Sequence, residues 1–194
     1  MGRGEGAFHS MWSIEQDETG RCLDVGCGKD KRPGCVGMDR VALPGVDVVH
    51  DLETFPWPFA DNAFERVYAR HVLEHLHAFI PAMEEIHRIL VPSGQLHVWV
   101  PYYRSEEAFR DPTHVRFFTE RTFDYFAPDG QGRWSKFNYY TRARFKVVDW
   151  EYLYGGPFSW HVEHYLKSPR LKRLAYRTLF HPKDALRFTL VAIK

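Results

Sequence analysis

The chain lacks any long apolar run and any secretion signal. No stretch of about 18 consecutive apolar residues is present, so no membrane-spanning helix is predicted. The first 20 residues have no apolar core of the kind that signal peptides carry. N-myristoylation is also excluded, because Gly6 stands where that signal needs Ser or Thr. These absences predict a cytoplasmic location.

Cysteine and net charge are low as well. Three cysteines, with no Cys-x-x-Cys pair, indicate reduced thiols and argue against a zinc site built on sulfur. A formal net charge of +1 argues against a surface that coats nucleic acid over the whole molecule. At 194 residues the chain is expected to be one domain, 1–194, with residues 1–20 as an N-terminal extension.

Short Val-rich runs predict the buried strands of a mostly parallel sheet. They are Arg21–Val25, Val36–Asp39, Val46–His50, Arg66–Ala69 and Leu96–Val100. A helix is predicted before the fifth strand, because apolar residues recur there at helical spacing: Phe79, Met83, Ile86 and Leu90. Two late runs, Phe145–Tyr154 and Arg187–Ile193, predict strands at an antiparallel edge. The order favours an α/β layered domain.

A Gly-x-Gly turn follows the first strand, and an acid stands at the end of each of the next two. Gly26 and Gly28 allow positive φ and let a ligand approach the backbone closely. In open α/β sheets, ligands bind outside the carboxyl ends of the strands. There, Asp39 could accept both hydroxyls of a ribose and Asp51 an adenine amino group. Alternatively, these acids, together with Asp24, only cap strands and turns.

The same turn does not fit a dinucleotide well. The dinucleotide fingerprint needs a third glycine, where this chain has Lys31. Only ten residues, Gly26 to Cys35, separate the first two strands, which is short for a crossover with a full helix. A nucleoside without a pyrophosphate is therefore the better prediction.

Six motifs in order carry a family resemblance. They are Leu23-Asp-Val-Gly-Cys-Gly28, Val36-Gly-Met-Asp39, Asp51-Leu-Glu, Pro58-Phe-Ala-Asp-Asn-Ala-Phe64, Val72-Leu-Glu-His75 and Arg88-Ile-Leu-Val-Pro-Ser-Gly94. Over residues 20–102 the chain resembles the class I S-adenosylmethionine-dependent methyltransferases of the small type 11 kind. The resemblance implies a Rossmann-like, seven-stranded, mostly parallel sheet with an antiparallel last strand, here with a shortened first crossover. Ser93 replaces the usual first glycine of the family's turn, and Gly94 is expected to carry any positive φ.

The resemblance also implies a cofactor site for S-adenosylmethionine, with S-adenosylhomocysteine as product. Its residues would be Asp24, Gly26, Cys27 and Gly28 on the methionine and ribose side, Asp39 and Arg40 at the ribose, Asp51 and Leu52 at the adenine, and His71 near the methyl group. This position also makes His71 a predicted catalytic residue.

The segment His71-Val-Leu-Glu74-His75 matches the H-x-x-E-H pattern of inverted zinc peptidases. On a helix, His71 and His75 would share one face, a turn apart. The methyltransferase resemblance explains these residues without a metal, through orientation of the loop and helix after the fourth strand. No metal site is therefore predicted.

Residues 102–144 form an insertion between strands five and six, which we interpret as an aromatic lid over an acceptor pocket. It holds twelve aromatic residues between Tyr102 and Tyr140. Within it, His114 is a candidate general base because its ordinary pKa lies near neutrality. Asp111 could orient His114, and Arg116 could hold an anionic acceptor. Alternatively, His114 is structural and the aromatics are ordinary core.

The sequence thus predicts a methyltransferase that acts on a small-molecule acceptor by direct displacement. An RNA or protein acceptor is favoured only by Lys167–Lys183, which has six Lys or Arg and no acid. A second alternative is a cofactor-binding regulator or partner that methylates nothing. The acceptor atom and the oligomeric state stay open.

Overall fold

A computed structural model describes residues 21–128, 135–154, 167–168, 170–171 and 183–194. Its strands are β1 (Cys22–Val25), β2 (Val36–Asp39), β3 (Val48–Val49), β4 (Phe64–Arg70), β5 (Leu90–Pro101), β6 (Phe145–Tyr154) and β7 (Lys183–Ala192). Its helices are α1 (Phe79–Ile89), the short α2 (Glu107–Arg110) and three 3-10 helices, η1 (Leu73–His75), η2 (Thr122–Phe126) and η3 (Ser135–Tyr140). None of the described helices is long and apolar enough to cross a membrane.

The seven strands form one sheet in the order β3-β2-β1-β4-β5-β7-β6. Strands β1 to β5 pair in parallel, and β7 runs antiparallel to both β5 and β6. The predicted seven-stranded, mostly parallel sheet with an antiparallel last strand is confirmed. The domain boundaries and the extension at 1–20 stay predictions, and residues 1–20 lie outside the described ranges.

One face of the sheet is buried under α1 and the aromatic helix η2. Helix α1 turns Phe79, Met83 and Ile86 toward the sheet, as the helical spacing predicts. Alternate residues Leu96, Val98 and Val100 of β5 are fully buried on the same core. Each such side chain contributes about 1.5–3 kcal/mol on burial.

The first crossover is short, as predicted. Residues 26–35 form turns instead of a helix. The parallel register places Leu23 beside Val36, and the flanking Cys22 and Cys35 form a disulfide with their Cα atoms 4.8 Å apart. The expectation of reduced thiols is therefore wrong for two of the three cysteines, because strand pairing brings together residues that no Cys-x-x-Cys pattern links.

The turn after α1 also differs from the prediction. Strand β5 begins at Leu90 and runs through Pro92-Ser93-Gly94. Ser93 itself takes φ 64°, whereas Gly94 is not among the glycines with positive φ. A Cβ on Gly94 would lie 2.9 Å from the Val91 carbonyl oxygen, so this glycine permits a close backbone approach.

Candidate functional site

The carboxyl ends of β1, β2 and β4 meet at one edge of the sheet. Val25, the last residue of β1, pairs with Met38 of β2 and Ala69 of β4. The segment Gly26–Gly28, here called the glycine turn, leaves β1 at this edge. The loop after β4 packs directly on it, because a Cβ on Gly26 would lie 2.4 Å from Val72 Cγ2.

The glycine turn is held by the backbone of β2. The amides of Gly26 and Cys27 both donate to the Met38 carbonyl, at 2.8 and 3.2 Å. Both glycines have positive φ, 63° at Gly26 and 54° at Gly28. Nothing lies within 4 Å of the position of a Cβ on Gly28, so a ligand can approach the backbone there.

Asp39 ends β2 beside this open space and is half-buried. Its Oδ2 accepts a hydrogen bond from the Gly28 amide and its Oδ1 one from the Val41 amide, both at 2.9 Å. Each carboxylate oxygen has two acceptor sites, so one site on each oxygen remains for a ligand. Two adjacent acceptors suit a vicinal diol. The neighbouring Arg40 is exposed.

Asp24 is enclosed rather than open to a ligand. Its Oδ2 accepts hydrogen bonds from the Arg32 amide at 2.7 Å and from Arg70 Nη2 at 2.9 Å, and its side chain is 1% exposed. Burial raises the pKa of Asp24, while the Arg70 charge and these hydrogen bonds oppose the rise. Arg70 also donates to the Asp30 carbonyl, so this ion pair fastens residues 26–35 to β4.

Cys27, between the two glycines, keeps a free and buried thiol. Burial raises the pKa of this thiol, and the nearby charges of Asp24 and Asp39 raise it further. The thiol is therefore protonated and inert at neutral pH, so Cys27 acts through its shape and backbone.

The adenine-side candidates follow β3. Asp51 is exposed, and its Oδ1 accepts a hydrogen bond from the Glu53 amide at 3.0 Å. Leu52 is buried, and its carbonyl accepts the Trp57 indole N–H at 3.1 Å. These contacts present an acid and an apolar wall at the same edge of the sheet.

His71 comes directly after β4 with φ 50°, and its amide donates to the Trp99 carbonyl. Its side chain is 45% exposed, and its Nδ1 lies 3.2 Å from Glu74 Oε1. The H-x-x-E-H segment does not form the helix that its zinc interpretation requires. Only Leu73–His75 is helical, as a single 3-10 turn, so His71 lies outside the helix that contains His75.

Glu74 is the central residue that the sequence interpretation did not include in the site. It is fully buried, and its Oε1 also lies 4.0 Å from His114 Nε2. The His75 and His114 rings meet edge to face, with centroids 4.7 Å apart. We call His71, Glu74, His75 and His114 the His–Glu cluster. The sequence signal for this cluster was that Glu74 stands three residues after His71.

The lid segment, residues 111–116, docks on η1. Its contacts show that the roles predicted for Asp111 and Arg116 need correction. The Asp111 carboxylate does not orient the His114 ring; it accepts the Thr113 amide at 2.8 Å and the Thr113 hydroxyl at 2.7 Å. These bonds lower the pKa of Asp111. The Arg116 guanidinium donates to the carbonyls of Leu76 and His77 and lies over the Phe79 ring, so it fixes the lid segment to the protein.

The aromatic residues of the insertion divide into two groups. Phe118, Phe123 and Phe126 are fully buried against α1, which makes them core, as the alternative interpretation expects. Phe109 and Phe117 stack with centroids 4.8 Å apart and remain exposed beside the lid segment. Residues 129–134 and most of the basic run 167–183 lie outside the described ranges.

Comparison with known proteins agrees with this architecture. The family model described as "Methyltransferase domain" matches residues 7–147. A stretch of 72 residues is 38% identical to the uncharacterized protein YafE of Escherichia coli K12, and covers 30% of this chain and 33% of that protein.

Two solved structures share the fold. An S-adenosylmethionine-dependent methyltransferase of Archaeoglobus fulgidus superposes with a TM-score of 0.57 at 18% identity, covering 89% of this chain and 85% of that one. The Burkholderia thailandensis 1,6-didemethyltoxoflavin-N1-methyltransferase, with 1,6-didemethyltoxoflavin and S-adenosylhomocysteine bound, gives 0.53 at 15% identity, covering 91% and 72%.

The family match spans most of the described sheet and the edge where the glycine turn and the His–Glu cluster meet. It confirms the resemblance that the six motifs predict. The chain belongs to the methyltransferase domain family, as a class I S-adenosylmethionine-dependent methyltransferase of the type 11 kind.

Proposed function

We propose that the chain transfers the methyl group of S-adenosylmethionine to a small-molecule acceptor bound between the glycine turn and the lid segment. One observation carries this proposal: Val72 packs on Gly26, which sets the His–Glu cluster against the glycine turn. When bound, S-adenosylmethionine supplies a sulfonium methyl group that is open to nucleophilic attack.

The residues at the glycine turn fit the cofactor. Asp39 would hold the ribose hydroxyls with its two remaining acceptor sites, and Gly28 gives the ligand room at the backbone. Asp51 and Leu52 would border the adenine. Asp24 would act on the cofactor only through the loop that it fastens, since its carboxylate is enclosed.

His71 is the better general base of the two predicted histidines. The Glu74 carboxylate can only accept, so the neutral His71 ring carries its proton on Nδ1 and its lone pair on Nε2. That nitrogen can take the proton of an acceptor. The His114 side chain is only 8% exposed, which limits its contact with an acceptor. Glu74 replaces Asp111 as the acid that orients the base.

Two observations favour a small acceptor over RNA. The net charge of +1 gives little general attraction for a polyanion. The Burkholderia thailandensis enzyme, which has the same fold, has 1,6-didemethyltoxoflavin bound rather than a polymer. A cytoplasmic location stays a prediction.

Isothermal titration with S-adenosylhomocysteine tests the cofactor placement. We expect Asp39→Ala to weaken binding by about 10- to 150-fold, because a charged hydrogen bond contributes about 1.5–3 kcal/mol. Asp149→Ala is the matched control, since Asp149 of β6 pairs with Arg187 of β7 at the far edge of the sheet, and it should bind like the wild type. Unchanged affinity in Asp39→Ala would contradict the placement, and a folded wild type that binds no S-adenosylhomocysteine would overturn the function.

Transfer of a labelled methyl group tests the acceptor class. An extract of the source organism is divided by filtration into small molecules, RNA and protein, and each fraction is incubated with the enzyme and labelled cofactor. We expect label in the small-molecule fraction, and less of it with His71→Gln. Label found only in RNA or protein would refute the small-molecule acceptor.

A further inference from the structure

We propose that Glu74, His75 and His114 bind a divalent transition-metal ion, with zinc the best match to the donor set. Two imidazoles and one carboxylate are a common ligand set for such ions. Their candidate ligand atoms all lie within 4.8 Å of one another. The site differs from the zinc-peptidase pattern, because His114 of the lid segment takes the place of His71.

The Glu74 carboxylate is the first argument for a cation. Its side chain is 0% exposed, and its Oε2 has no hydrogen-bond partner among the described residues. A buried carboxylate oxygen without a partner costs several kcal/mol unless a positive charge or a donor compensates it. Oε1 lies 3.2 Å from His71 Nδ1 and 4.0 Å from His114 Nε2, so the under-compensated carboxylate borders the space between the histidines that a metal ion would fill.

The tautomer of His114 is the second argument. Its Nδ1 lies 3.1 Å from the Ala108 carbonyl oxygen, which can only accept, so Nδ1 carries the proton. The lone pair is then on Nε2, which lies 4.0 Å from Glu74 Oε1, too far for a hydrogen bond. Two electron-rich atoms at this distance, in a buried place, favour a cation between them.

The tautomer of His75 is fixed in the same way. The Thr113 hydroxyl donates to Asp111 Oδ1 at 2.7 Å, so its oxygen accepts from His75 Nδ1 at 2.9 Å. The lone pair of His75 is therefore on Nε2. Both histidines thus have the outer hydrogen bond that orients metal-binding imidazoles in proteins.

The three ligands would leave a coordination position open. Zinc binds nitrogen and oxygen at about 2.0–2.2 Å, so the ligand atoms must draw together by about 1 Å on binding. Three protein ligands and one open position are typical of catalytic zinc. If the methyl transfer proposed above is correct, a hydroxyl acceptor bound there would lose its proton to His71 more easily, because coordination lowers the hydroxyl pKa.

Metal titration of the full chain tests the site. The purified protein is stripped with a chelator and titrated with Zn²⁺ by calorimetry and with Co²⁺ by visible absorption. We expect one ion per chain and the absorption bands of tetrahedral or five-coordinate Co²⁺. Glu74→Gln and His114→Gln should each weaken binding by at least about 100-fold, and Thr113→Val by about 10–100-fold through His75.

His77→Gln is the matched control. His77 is 76% exposed, pairs with Glu53, and lies two residues from His75. It should leave both the stoichiometry and the affinity unchanged. His71→Gln should also keep the ion, because His71 is not a ligand.

Two results would overturn the site: a folded wild type that binds no stoichiometric ion, or Glu74→Gln binding as tightly as the wild type. If Glu74→Gln does not fold, the number of ions bound per wild-type chain and the metal affinity of Thr113→Val decide whether the site exists. S-adenosylhomocysteine binding, measured on the same stripped sample, separates this outcome from failure of the proposed function. A wild type that binds S-adenosylhomocysteine but no metal would refute the metal site and leave the proposed function standing.

Discussion

The two sides of the candidate site are held together differently. On the glycine-turn side, acids at the ends of β1 and β2 accept backbone amides: Asp24 from Arg32, and Asp39 from Gly28 and Val41. The glycine turn also has backbone hydrogen bonds, from the Gly26 and Cys27 amides to the Met38 carbonyl. On the lid side, one backbone hydrogen bond joins the lid segment to η1, from the Val115 amide to the Glu74 carbonyl, and the other contacts are made by side chains, such as that of Thr113 on His75. Bonds that engage backbone amides fix the chain path, whereas contacts between two side chains can rearrange with rotamers.

This difference suggests a division of labour. The side that faces an invariant cofactor is preorganised by its backbone, so binding costs little ordering. The side that faces the acceptor depends on a few side chains that converge on Glu74. Substitutions on the lid side should therefore change turnover without changing cofactor affinity, and the reverse should hold at Asp39.

His71→Gln should have the largest effect, because it removes the proposed base and keeps the size of the side chain. We expect kcat to fall by about 10²–10⁴-fold, the usual contribution of a positioned general base. S-adenosylhomocysteine affinity, measured by calorimetry, should change less than about threefold. A comparable loss in cofactor affinity would show that the two sides are not separate.

Arg70→Met tests the ion pair that fastens the glycine-turn side. It leaves the Asp24 carboxylate buried without its countercharge, and we expect the free energy of unfolding to fall by about 2–4 kcal/mol at pH 7. Without Arg70, the pKa of Asp24 should rise further above its ordinary value. The cost is therefore present when Asp24 is ionised and declines as the pH falls and the carboxyl protonates.

Urea unfolding of the wild type and of Arg70→Met, at pH 7 and at pH 4.5, measures how the loss in the free energy of unfolding depends on pH. Arg187→Met is the control, because Arg187 pairs with the exposed Asp149 and Glu151 and should cost less than about 1 kcal/mol. A destabilisation by Arg70→Met that is equal at both pH values would refute the role of Asp24.

The sequence predicts the glycine-turn side well because its signals are local. Val-rich runs, positive-φ glycines and acids at strand ends lie within a few residues of where they act, as at Gly26–Gly28 and Asp39. The seven-stranded, mostly parallel sheet with its antiparallel last strand then follows from the family resemblance. Which residues line the cofactor remains a prediction to be tested by the Asp39 variant.

The lid side was less predictable because its contacts are distant in sequence. Glu74 and His114 are separated by 40 residues, so nothing local joins them. Asp111 stands three residues before His114 and was therefore the expected partner of the His114 ring. Its carboxylate instead accepts the amide and the hydroxyl of Thr113, two residues away. The Cys22–Cys35 disulfide was missed for a related reason, since only the β1–β2 register brings the two residues together.

Removing the disulfide with Cys22→Ser and Cys35→Ser should lower the free energy of unfolding by about 3 kcal/mol. The disulfide closes a loop over a sequence separation of 13, and its loss restores the entropy of that loop in the unfolded chain. Because the loop contains the glycine turn, S-adenosylhomocysteine affinity should also fall, by about two- to fivefold. Reductant should shift the thermal midpoint of the wild type and leave the double variant unchanged. A wild type that does not respond to reductant would contradict a stabilising disulfide.

The smallest expected effect concerns Cys27, which reports how stiff the glycine-turn side is. Its buried thiol has a raised pKa, so the reactive thiolate is scarce in the folded chain. We expect iodoacetamide at pH 8 to alkylate it at least about tenfold more slowly than a free cysteine. The pKa of this thiol is higher in the folded chain than in the unfolded chain. Its contribution to the free energy of unfolding is therefore complete below the unfolded pKa and is lost as the pH rises through the folded pKa. Mass spectrometry measures the alkylation, with Cys27→Ser as the control. Rapid alkylation of the native chain would mean that the glycine turn opens, and that the backbone anchors do not make this side the stiffer one.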